Sequence, residues 1–188
     1  MSKKKTTIYD APKLDIGCGA NKKPGFFGID SIAFEGVDAV VDITQKPWPF
    51  ADNSVEEFYS SHVVEHLTWP QRVIFFNELY RILKPGAKGQ IIIPHWASMR
   101  YYGDPTHQAP MSEFALYYLS KEWRLTQKNA PHTDSTYNPN GYSCDFTDIT
   151  WGHTLHPLLQ SRNTEYQQNA LTFYKDAAQD LVINLNKK

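Results

Sequence analysis

The sequence predicts an α/β fold built on a doubly wound, mostly parallel sheet with an antiparallel C-terminal edge. Short strand-like runs alternate with connecting segments, and one of these segments carries a strong amphipathic helix pattern. The run "QIIIPH" at Gln90–His95 has an unbroken apolar centre, as expected of a strand that is covered on both faces. Two later strand-like runs, Cys144–His153 and Asp180–Lys188, are separated by a polar helical segment and predict the antiparallel edge.

The first connection between strands is short. Asp15 and Asp30 are only fifteen residues apart, which leaves no room for two strands and a full crossover helix. We therefore expect a loop with at most one helical turn between the first two strands. The five runs predicted to form the parallel part of the sheet are Lys13–Gly17, Phe26–Asp30, Asp38–Ile43, Glu56–His62 and Gln90–His95.

The strongest helix pattern is "WPQRVIFFNELYRILKPG", which lies between the fourth and fifth runs. Thr68 is a candidate N-cap and Pro70 suits the first turn, whereas the sequence Lys84-Pro85-Gly86 predicts the end of the helix. The apolar residues that recur at helical spacing are Val73, Phe76, Leu79 and Leu83.

The chain after His95 has weaker patterns. Met111–Trp123 predicts a helix with Ser112 as its N-cap, and Asn129–Ser143 is rich in turn residues and predicts a surface loop. The polar helical segment before the last strand spans Thr164–Ala178.

The composition suits one domain over residues 1–188, with 1–10 as a polar N-terminal tail. Nineteen basic and 20 acidic residues give a formal net charge of −1, so no global field favours nucleic acid or anionic lipid. Cys18 and Cys144 form neither a disulfide framework nor a zinc-binding pattern. No apolar run is long enough to span a bilayer, and we expect a cytoplasmic location.

The stretch "LDIGCGANKKPGFFGID" predicts a ligand site at the carboxyl ends of the strands. Gly17 and Gly19 permit positive φ angles and a close approach of the backbone to a ligand. Asp30 ends the second run, where a carboxylate can accept both hydroxyls of a ribose, and Asp42 ends the third, beside the place for an adenine. No helix follows the glycines, and Lys22 takes the position of the third glycine of G-x-G-x-x-G. A nucleoside ligand without phosphates is therefore favoured over NAD.

The residues Asp15-Ile16-Gly17-Cys18-Gly19 resemble motif I of the class I S-adenosylmethionine-dependent methyltransferases. The resemblance continues through Gly28–Asp30, Asp42-Ile43, Pro47–Leu67 and Asn77–His95, with order and spacing retained over about residues 13–95. A subgroup of that family has a similarly short first crossover. The resemblance implies a Rossmann-like methyltransferase fold, an enzyme, and S-adenosyl-L-methionine as cofactor.

The resemblance also implies roles for the matched positions. Gly17 and Gly19 would pass beside the methionine moiety, and Asp15 would help to hold its ammonium group. Asp30 would bind the ribose, and Asp42 with its neighbour would flank the adenine. The predicted cofactor-binding set is Asp15, Gly17, Cys18, Gly19, Asp30, Ser31, Asp42, Ile43, Ser61 and His62.

The acceptor is expected to bind against the loop and helix region at 96–143. His95 ends the fifth strand, and "GDPTHQ" brings Asp104 and His107 close together in sequence. Three interpretations stay open. His95 or His107 is a general base oriented by Asp104, or all three bind a metal, or Asp104 caps a turn. His95, His107 and Asp104 form the predicted catalytic set.

A second histidine pair lies in "HVVEHL", where His62 and His66 are four residues apart with Glu65 between them. This spacing invites a zinc interpretation, but the sequence is not H-E-x-x-H. Because the methyltransferase family commonly has "EHL" after the fourth strand, packing or a place at the lip of the cofactor site is favoured over metal binding.

The sequence thus predicts methyl transfer from S-adenosylmethionine to an oxygen or nitrogen of a small-molecule acceptor. A nucleic acid is less favoured, because the chain has neither the N/D-P-P-Y tetrapeptide nor the Pro-Cys dipeptide of base methyltransferases. Two other classes stay open: a non-catalytic module that binds a nucleoside or a protein partner on a degenerate methyltransferase fold, and a metal hydrolase.

Overall fold

The computed structural model describes residues 7–127 and 131–188. Seven strands in these residues form one sheet in the order β3-β2-β1-β4-β5-β7-β6. β1 to β5 pair in parallel, whereas β7 pairs antiparallel with both β5 and β6, so the predicted fold class is confirmed. The strands are β1 (Lys13–Ile16), β2 (Phe27–Asp30), β3 (Ala39–Val40), β4 (Val55–Ser61), β5 (Leu83–Pro94), β6 (Phe146–Leu155) and β7 (Ala178–Lys187).

Five α-helices and three 3-10 helices connect the strands in the described part of the chain. None of these helices is long and apolar enough to cross a membrane. The α-helices are α1 (Trp69–Ile82), α2 (Met99–Gly103), α3 (Lys121–Thr126), α4 (Pro157–Gln160) and α5 (Thr164–Phe173), and the 3-10 helices span Val64–His66, Glu113–Leu119 and Pro131–Thr133.

The helix α1 lies where the sequence predicts it. Its N-cap is Thr68, whose backbone N–H and hydroxyl both donate to Gln71 Oε1 at 2.9 Å. The apolar stripe is fully buried, including Phe75, Phe76 and Leu79 at 0% exposure. Packing of this stripe fixes α1 beside the sheet and thereby places the short segment that connects it to β4.

Two strands differ from the prediction. β3 is only two residues long, because Asp42 turns the chain by accepting a hydrogen bond from the Thr44 N–H at 2.9 Å. β5 begins at Leu83, since Leu83 already pairs with Val55. The sequence Lys84-Pro85-Gly86 therefore ends α1 but lies within a strand rather than in a loop.

The predicted helix over 111–123 is wrong as a single element. The Ser112 side chain makes no capping hydrogen bond, and the residues after it form a 3-10 helix. Ser120 then accepts a hydrogen bond from the Trp123 N–H and begins α3 as a separate helix. A serine inside the apolar pattern thus interrupts the helix, because its side chain competes for backbone N–H groups.

Two other expectations concern irregular segments. The predicted loop over 129–143 contains one 3-10 turn, and its residues 129 and 130 lie outside the described part of the chain. Within the expected tail over 1–10, residues 1–6 are likewise outside the described part, whereas Tyr9 forms a parallel bridge with Phe50.

Candidate functional site

A cavity of about 290 Å³ lies at the carboxyl ends of β1, β2, β3 and β4, and we call it the glycine-loop cavity. It brings together six of the ten predicted cofactor-binding residues, from four different strand ends. Its lining residues are Gly17, Asp30, Ser31, Asp42, Ile43, Thr44, His62, Val63, His66 and Leu67.

The segment between β1 and β2 contains no helix over residues 17–26, as the spacing predicts. Gly17 has a φ of +71° and Gly19 a φ of +52°, both in the left-handed region. A Cβ atom on Gly17 would stand 2.2 Å from Val63 Cγ2, so no larger residue fits at this turn. The backbone N–H groups of Gly17 and Cys18 both donate to the Ile29 carbonyl, which ties the turn to β2.

Two carboxylates face the glycine-loop cavity. Asp30 accepts the Gly19 N–H at 2.9 Å on Oδ2 and the Ile32 N–H at 3.0 Å on Oδ1. Asp42 accepts the backbone N–H and the hydroxyl of Thr44 on Oδ1. Each carboxylate is thus oriented by the chain and keeps acceptor capacity for hydroxyl or amino groups of a ligand.

Four predicted cofactor-binding residues do not line this cavity: Asp15, Cys18, Gly19 and Ser61. The carboxylate of Asp15 is 3% exposed and accepts the Lys23 N–H at 2.7 Å, so it anchors the loop. Burial raises the pKa of Asp15 although this hydrogen bond opposes the change. Burial also raises the pKa of the Cys18 thiol to about 11, which agrees with a packing role rather than a nucleophilic one.

A second cavity of about 450 Å³ lies beside the first, and we call it the histidine cavity. The two cavities share His62 and His66. The lining residues of the histidine cavity are His62, Glu65, His66, Pro94, Arg100, Gly103, Asp104 and His107.

Charged side chains cover one wall of the histidine cavity. His62 is the residue after β4 and has a φ of +57°, and its Nδ1 lies 3.3 Å from Glu65 Oε1. The Glu65 carboxylate raises the pKa of His62 above its usual value, against the opposing effect of partial burial. Arg100 binds both carboxylate oxygens of Asp180, at 3.0 and 2.9 Å, and Asp180 Oδ1 lies 4.0 Å from His62 Nε2.

The structure divides the predicted catalytic residues between two places. Asp104 and His107 are neighbours in the histidine cavity, with His107 Nε2 3.9 Å from Asp104 Oδ2. Asp104 Oδ1 accepts the N–H of Thr106 at 2.8 Å, as the turn interpretation predicts, and also accepts the Thr106 hydroxyl at 2.6 Å. These two hydrogen bonds are the main reason why the pKa of Asp104 is lowered.

His95 belongs to a different cluster. It is 5% exposed, its Nδ1 accepts the Ala97 N–H at 3.3 Å, and its Nε2 lies 3.1 Å from Glu113 Oε1. The same carboxylate oxygen is 2.7 Å from His153 Nε2. His95 is therefore oriented by Glu113 rather than by Asp104, and both of its ring nitrogens are engaged.

Sequence reasoning missed the Arg100–Asp180 pair and the Glu113–His153 pair. Asp180 precedes the alternating apolar residues of β7, which pairs antiparallel with β5, so that Asp180 lies opposite Pro94. A residue at the start of an antiparallel strand shares an edge with the carboxyl ends of the parallel strands. The position of Asp180 near the start of a predicted antiparallel strand could therefore have assigned it to the site. No sequence signal indicates the Glu113–His153 pair.

The comparisons with known proteins agree with this geometry. A family model described as a methyltransferase domain matches residues 30–91. No curated protein sequence matches the chain. Residues 30–91 thus resemble a methyltransferase domain, in agreement with the predicted class, the class I S-adenosylmethionine-dependent methyltransferases. The prediction of an enzyme that uses S-adenosylmethionine agrees with the same match.

Solved structures share the fold at low sequence identity. A SAM-dependent methyltransferase from Archaeoglobus fulgidus has a TM-score of 0.63 and 20% identity, covering 93% of this chain and 85% of that one. A SAM-dependent methyltransferase from Methanosarcina mazei has a TM-score of 0.54 and 15% identity, covering 95% and 92%. The 1,6-didemethyltoxoflavin-N1-methyltransferase from Burkholderia thailandensis has a TM-score of 0.56 and 10% identity, covering 95% and 71%.

Proposed function

We propose that this chain binds S-adenosylmethionine in the glycine-loop cavity and transfers its methyl group to an oxygen or nitrogen of a small molecule in the histidine cavity. The observation that carries the proposal is the convergence of Gly17, Asp30 and Asp42 on one cavity that shares His62 and His66 with a second one.

In this proposal the two carboxylates recognise the nucleoside. Asp30 accepts hydrogen bonds from the ribose hydroxyls, and Asp42 lies on the adenine side with Ile43. The turn at Gly17 lets the backbone approach the methionine part of the cofactor, because no side chain stands there. Asp15 acts indirectly, by anchoring the loop through its hydrogen bond with the Lys23 N–H.

The chemical step is an in-line displacement at the sulfonium carbon. The acceptor atom forms a bond with the methyl carbon while the carbon–sulfur bond breaks, and the products are the methylated acceptor and S-adenosylhomocysteine. The chain supplies alignment and exclusion of water, and the histidine cavity supplies groups that can take a proton from the acceptor.

A small acceptor suits the size of the histidine cavity, about 450 Å³. One protein with a similar fold, the Burkholderia enzyme, was solved with bound 1,6-didemethyltoxoflavin and S-adenosylhomocysteine. The nearly balanced charge of the chain supports the same acceptor class over a nucleic acid.

Calorimetric titration tests the cofactor part of the proposal. We expect S-adenosylmethionine and S-adenosylhomocysteine to bind with a 1:1 stoichiometry, and NAD to produce no heat of binding. Release of S-adenosylhomocysteine tests the acceptor part, with panels of small hydroxyl and amine compounds, protein extract and RNA as acceptors. Absence of binding by both cofactor forms contradicts the proposed site, and turnover with RNA or protein alone contradicts the acceptor class.

A further inference from the structure

We propose that Glu65, His66 and His107 bind a divalent transition-metal ion, with Zn²⁺ as the best fit, in the histidine cavity. One ligand atom from each of the three side chains lies within 4.8 Å of the other two. The spacing of His62 and His66 invited a zinc interpretation that the sequence disfavoured, and in the structure His66 lies near Glu65 and His107 instead. The proposal depends on three features: a buried carboxylate that accepts no hydrogen bond, the tautomers of the two imidazoles, and the choice of ligands.

The carboxylate of Glu65 is the first feature. Its residue is 2% exposed, and among the described residues neither Oε1 nor Oε2 accepts a hydrogen bond. His62 Nδ1 lies 3.3 Å from Oε1 but without the alignment of a hydrogen bond. A buried carboxylate without such partners is costly, and a bound cation is one of the few groups that satisfies it.

The tautomer of His107 is fixed by its surroundings. Its Nδ1 lies 2.7 Å from the carbonyl oxygen of Tyr101, which can only accept a hydrogen bond. Nδ1 therefore carries the proton in the neutral ring, and the lone pair is on Nε2. Nε2 is the nitrogen on the side of the histidine cavity that faces Asp104, at 3.9 Å from Oδ2.

The tautomer of His66 follows from the same reasoning. The Thr106 hydroxyl lies 2.6 Å from Asp104 Oδ1 and 3.0 Å from His66 Nδ1. Because the carboxylate only accepts, the single hydroxyl proton goes to Asp104, and His66 Nδ1 must donate to the hydroxyl oxygen. The lone pair of His66 is consequently on Nε2 as well.

Two imidazoles that donate through Nδ1 and keep Nε2 free are the arrangement of metal-binding histidines. Such histidines almost always donate their other N–H to a carbonyl, a carboxylate or another oxygen, which fixes the ring for the ion. The Tyr101 carbonyl and the Thr106 hydroxyl are these partners here. Thr106 in turn is held by Asp104, so that the predicted catalytic aspartate orients a ligand rather than a base.

The cluster of His95, Glu113 and His153 shows the opposite arrangement with the same residue types. His95 Nδ1 accepts the Ala97 N–H, so its Nε2 carries the proton and donates to Glu113. The carboxylate is satisfied by this donor and by His153. Since the His95 lone pair is already used by the Ala97 N–H, this second cluster is a hydrogen-bonded support and serves as an internal control.

The ligand set selects the class of ion. Two imidazole nitrogens and one carboxylate suit Zn²⁺ and its neighbours in the first transition row, and leave at least one position open. Metal–nitrogen bonds of about 2.0–2.1 Å place tetrahedral ligands about 3.3 Å apart, so the ligand atoms, which lie within 4.8 Å of one another, must approach by up to about 1.5 Å. His66 is exposed and its ring can make this movement.

The position of the site gives the ion a role that rests on the proposed function. His66 lines both cavities, so an ion bound to it would lie where the two cavities meet. An ion there would hold an acceptor hydroxyl through its oxygen and would lower the pKa of that hydroxyl. The proton leaves to solvent or a cavity base, and the oxygen then attacks the methyl carbon. The inferred acceptor class is a small molecule with an oxygen that can coordinate a metal.

Metal binding can be tested without any acceptor. The full chain is stripped with a chelator and titrated with Zn²⁺ by calorimetry, and with Co²⁺ by visible absorption. We expect one equivalent of Zn²⁺ and a tetrahedral Co²⁺ spectrum. Glu65→Gln, His66→Ala and His107→Ala should each lose at least tenfold in affinity, and Thr106→Val should lose about tenfold because it releases the His66 ring.

Glu113→Gln is the matched control, since it alters the other histidine–carboxylate cluster and should leave the stoichiometry at one. Circular dichroism of each variant verifies that it is folded. Absence of Zn²⁺ binding by the wild-type chain, or retention of its affinity in the His66→Ala and His107→Ala variants, overturns the proposal. S-adenosylhomocysteine is titrated in parallel into the metal-free chain. Cofactor binding without Zn²⁺ binding contradicts only the proposed metal site. Zn²⁺ binding without cofactor binding contradicts only the proposed function.

Discussion

Replacing Asp30 with alanine should weaken the binding of S-adenosylhomocysteine by about 30- to 150-fold. In the proposed complex the carboxylate accepts two hydrogen bonds from the ribose hydroxyls, and each is worth about 1–1.5 kcal/mol net. The sum of about 2–3 kcal/mol converts to this factor, because 1.4 kcal/mol corresponds to a tenfold change in Kd. Calorimetric titration of the wild-type and variant chains under the same conditions measures the change.

The variant also loses two hydrogen bonds within the protein, from the N–H groups of Gly19 and Ile32. Asp38→Ala controls for this loss. Asp38 Oδ2 accepts the Gly28 N–H and the Lys22 ammonium, both at 2.7 Å, but it does not line the glycine-loop cavity. We expect Asp38→Ala to lower the free energy of unfolding and to keep the affinity. An equal loss of affinity in both variants, or none in Asp30→Ala, refutes the ribose role.

Three further predictions concern the stability of the fold, measured by urea denaturation. Gly17→Ala should lower the free energy of unfolding by about 2–4 kcal/mol, because the cost of the left-handed backbone and the cost of the clash with Val63 are additive. Burial alone would raise the pKa of Glu113, but hydrogen bonds from two histidines outweigh it and lower that pKa well below 4.5. Glu113→Gln should therefore lower stability at neutral pH, and this deficit should shrink as the pH falls below 4.5. Arg124→Ala should lower the free energy of unfolding by about 3–5 kcal/mol. In the wild-type chain Arg124 Nε lies 2.7 Å from Asp134 Oδ2, and the variant leaves this buried carboxylate without its cation.

Each of these predictions has a control on the same chain. Gly25 has a φ of +80° with open space around it, so Gly25→Ala should cost only the backbone strain. Glu122 and Arg162 are exposed, and Glu122→Gln and Arg162→Ala should change stability by less than about 0.5 kcal/mol. A Gly17→Ala variant no less stable than Gly25→Ala would contradict the argument from the Val63 contact. A deficit of Glu113→Gln that does not depend on pH would contradict the linkage argument, and an Arg124→Ala loss as small as that of Arg162→Ala would contradict the buried pair.

The sheet and the cofactor side of the site follow from the sequence because both depend on local signals. Strand ends are marked by Asp15, Asp30 and Asp42, and parallel pairing brings the carboxyl ends of strands to one edge. The short spacing between the first two of these residues predicted a loop without a helix, and the structure has one. Site residues whose positions follow from the order of the strands can thus be predicted from the sequence.

The acceptor side is less predictable, because it depends on contacts between distant residues. His95, Asp104 and His107 lie close in sequence, but the chain turns through α2 between them and leaves them in two clusters. Glu113, 18 residues after His95, orients that imidazole. The choice among base, metal ligand and turn depends on which ring nitrogen carries a proton. That choice is set by carbonyl and hydroxyl groups whose positions no sequence pattern gives.

The strand β7 follows β6 in the chain yet lies between β5 and β6 in the sheet. Among the described residues β6 pairs with no strand other than β7, so its ladder hydrogen bonds cannot form until the residues of β7 are available. During synthesis on the ribosome, the segment 146–155 therefore emerges with its ladder groups unpaired. About thirty further residues must be synthesised before β7 is complete. During that time a chaperone or a second nascent chain can bind the exposed backbone of this segment.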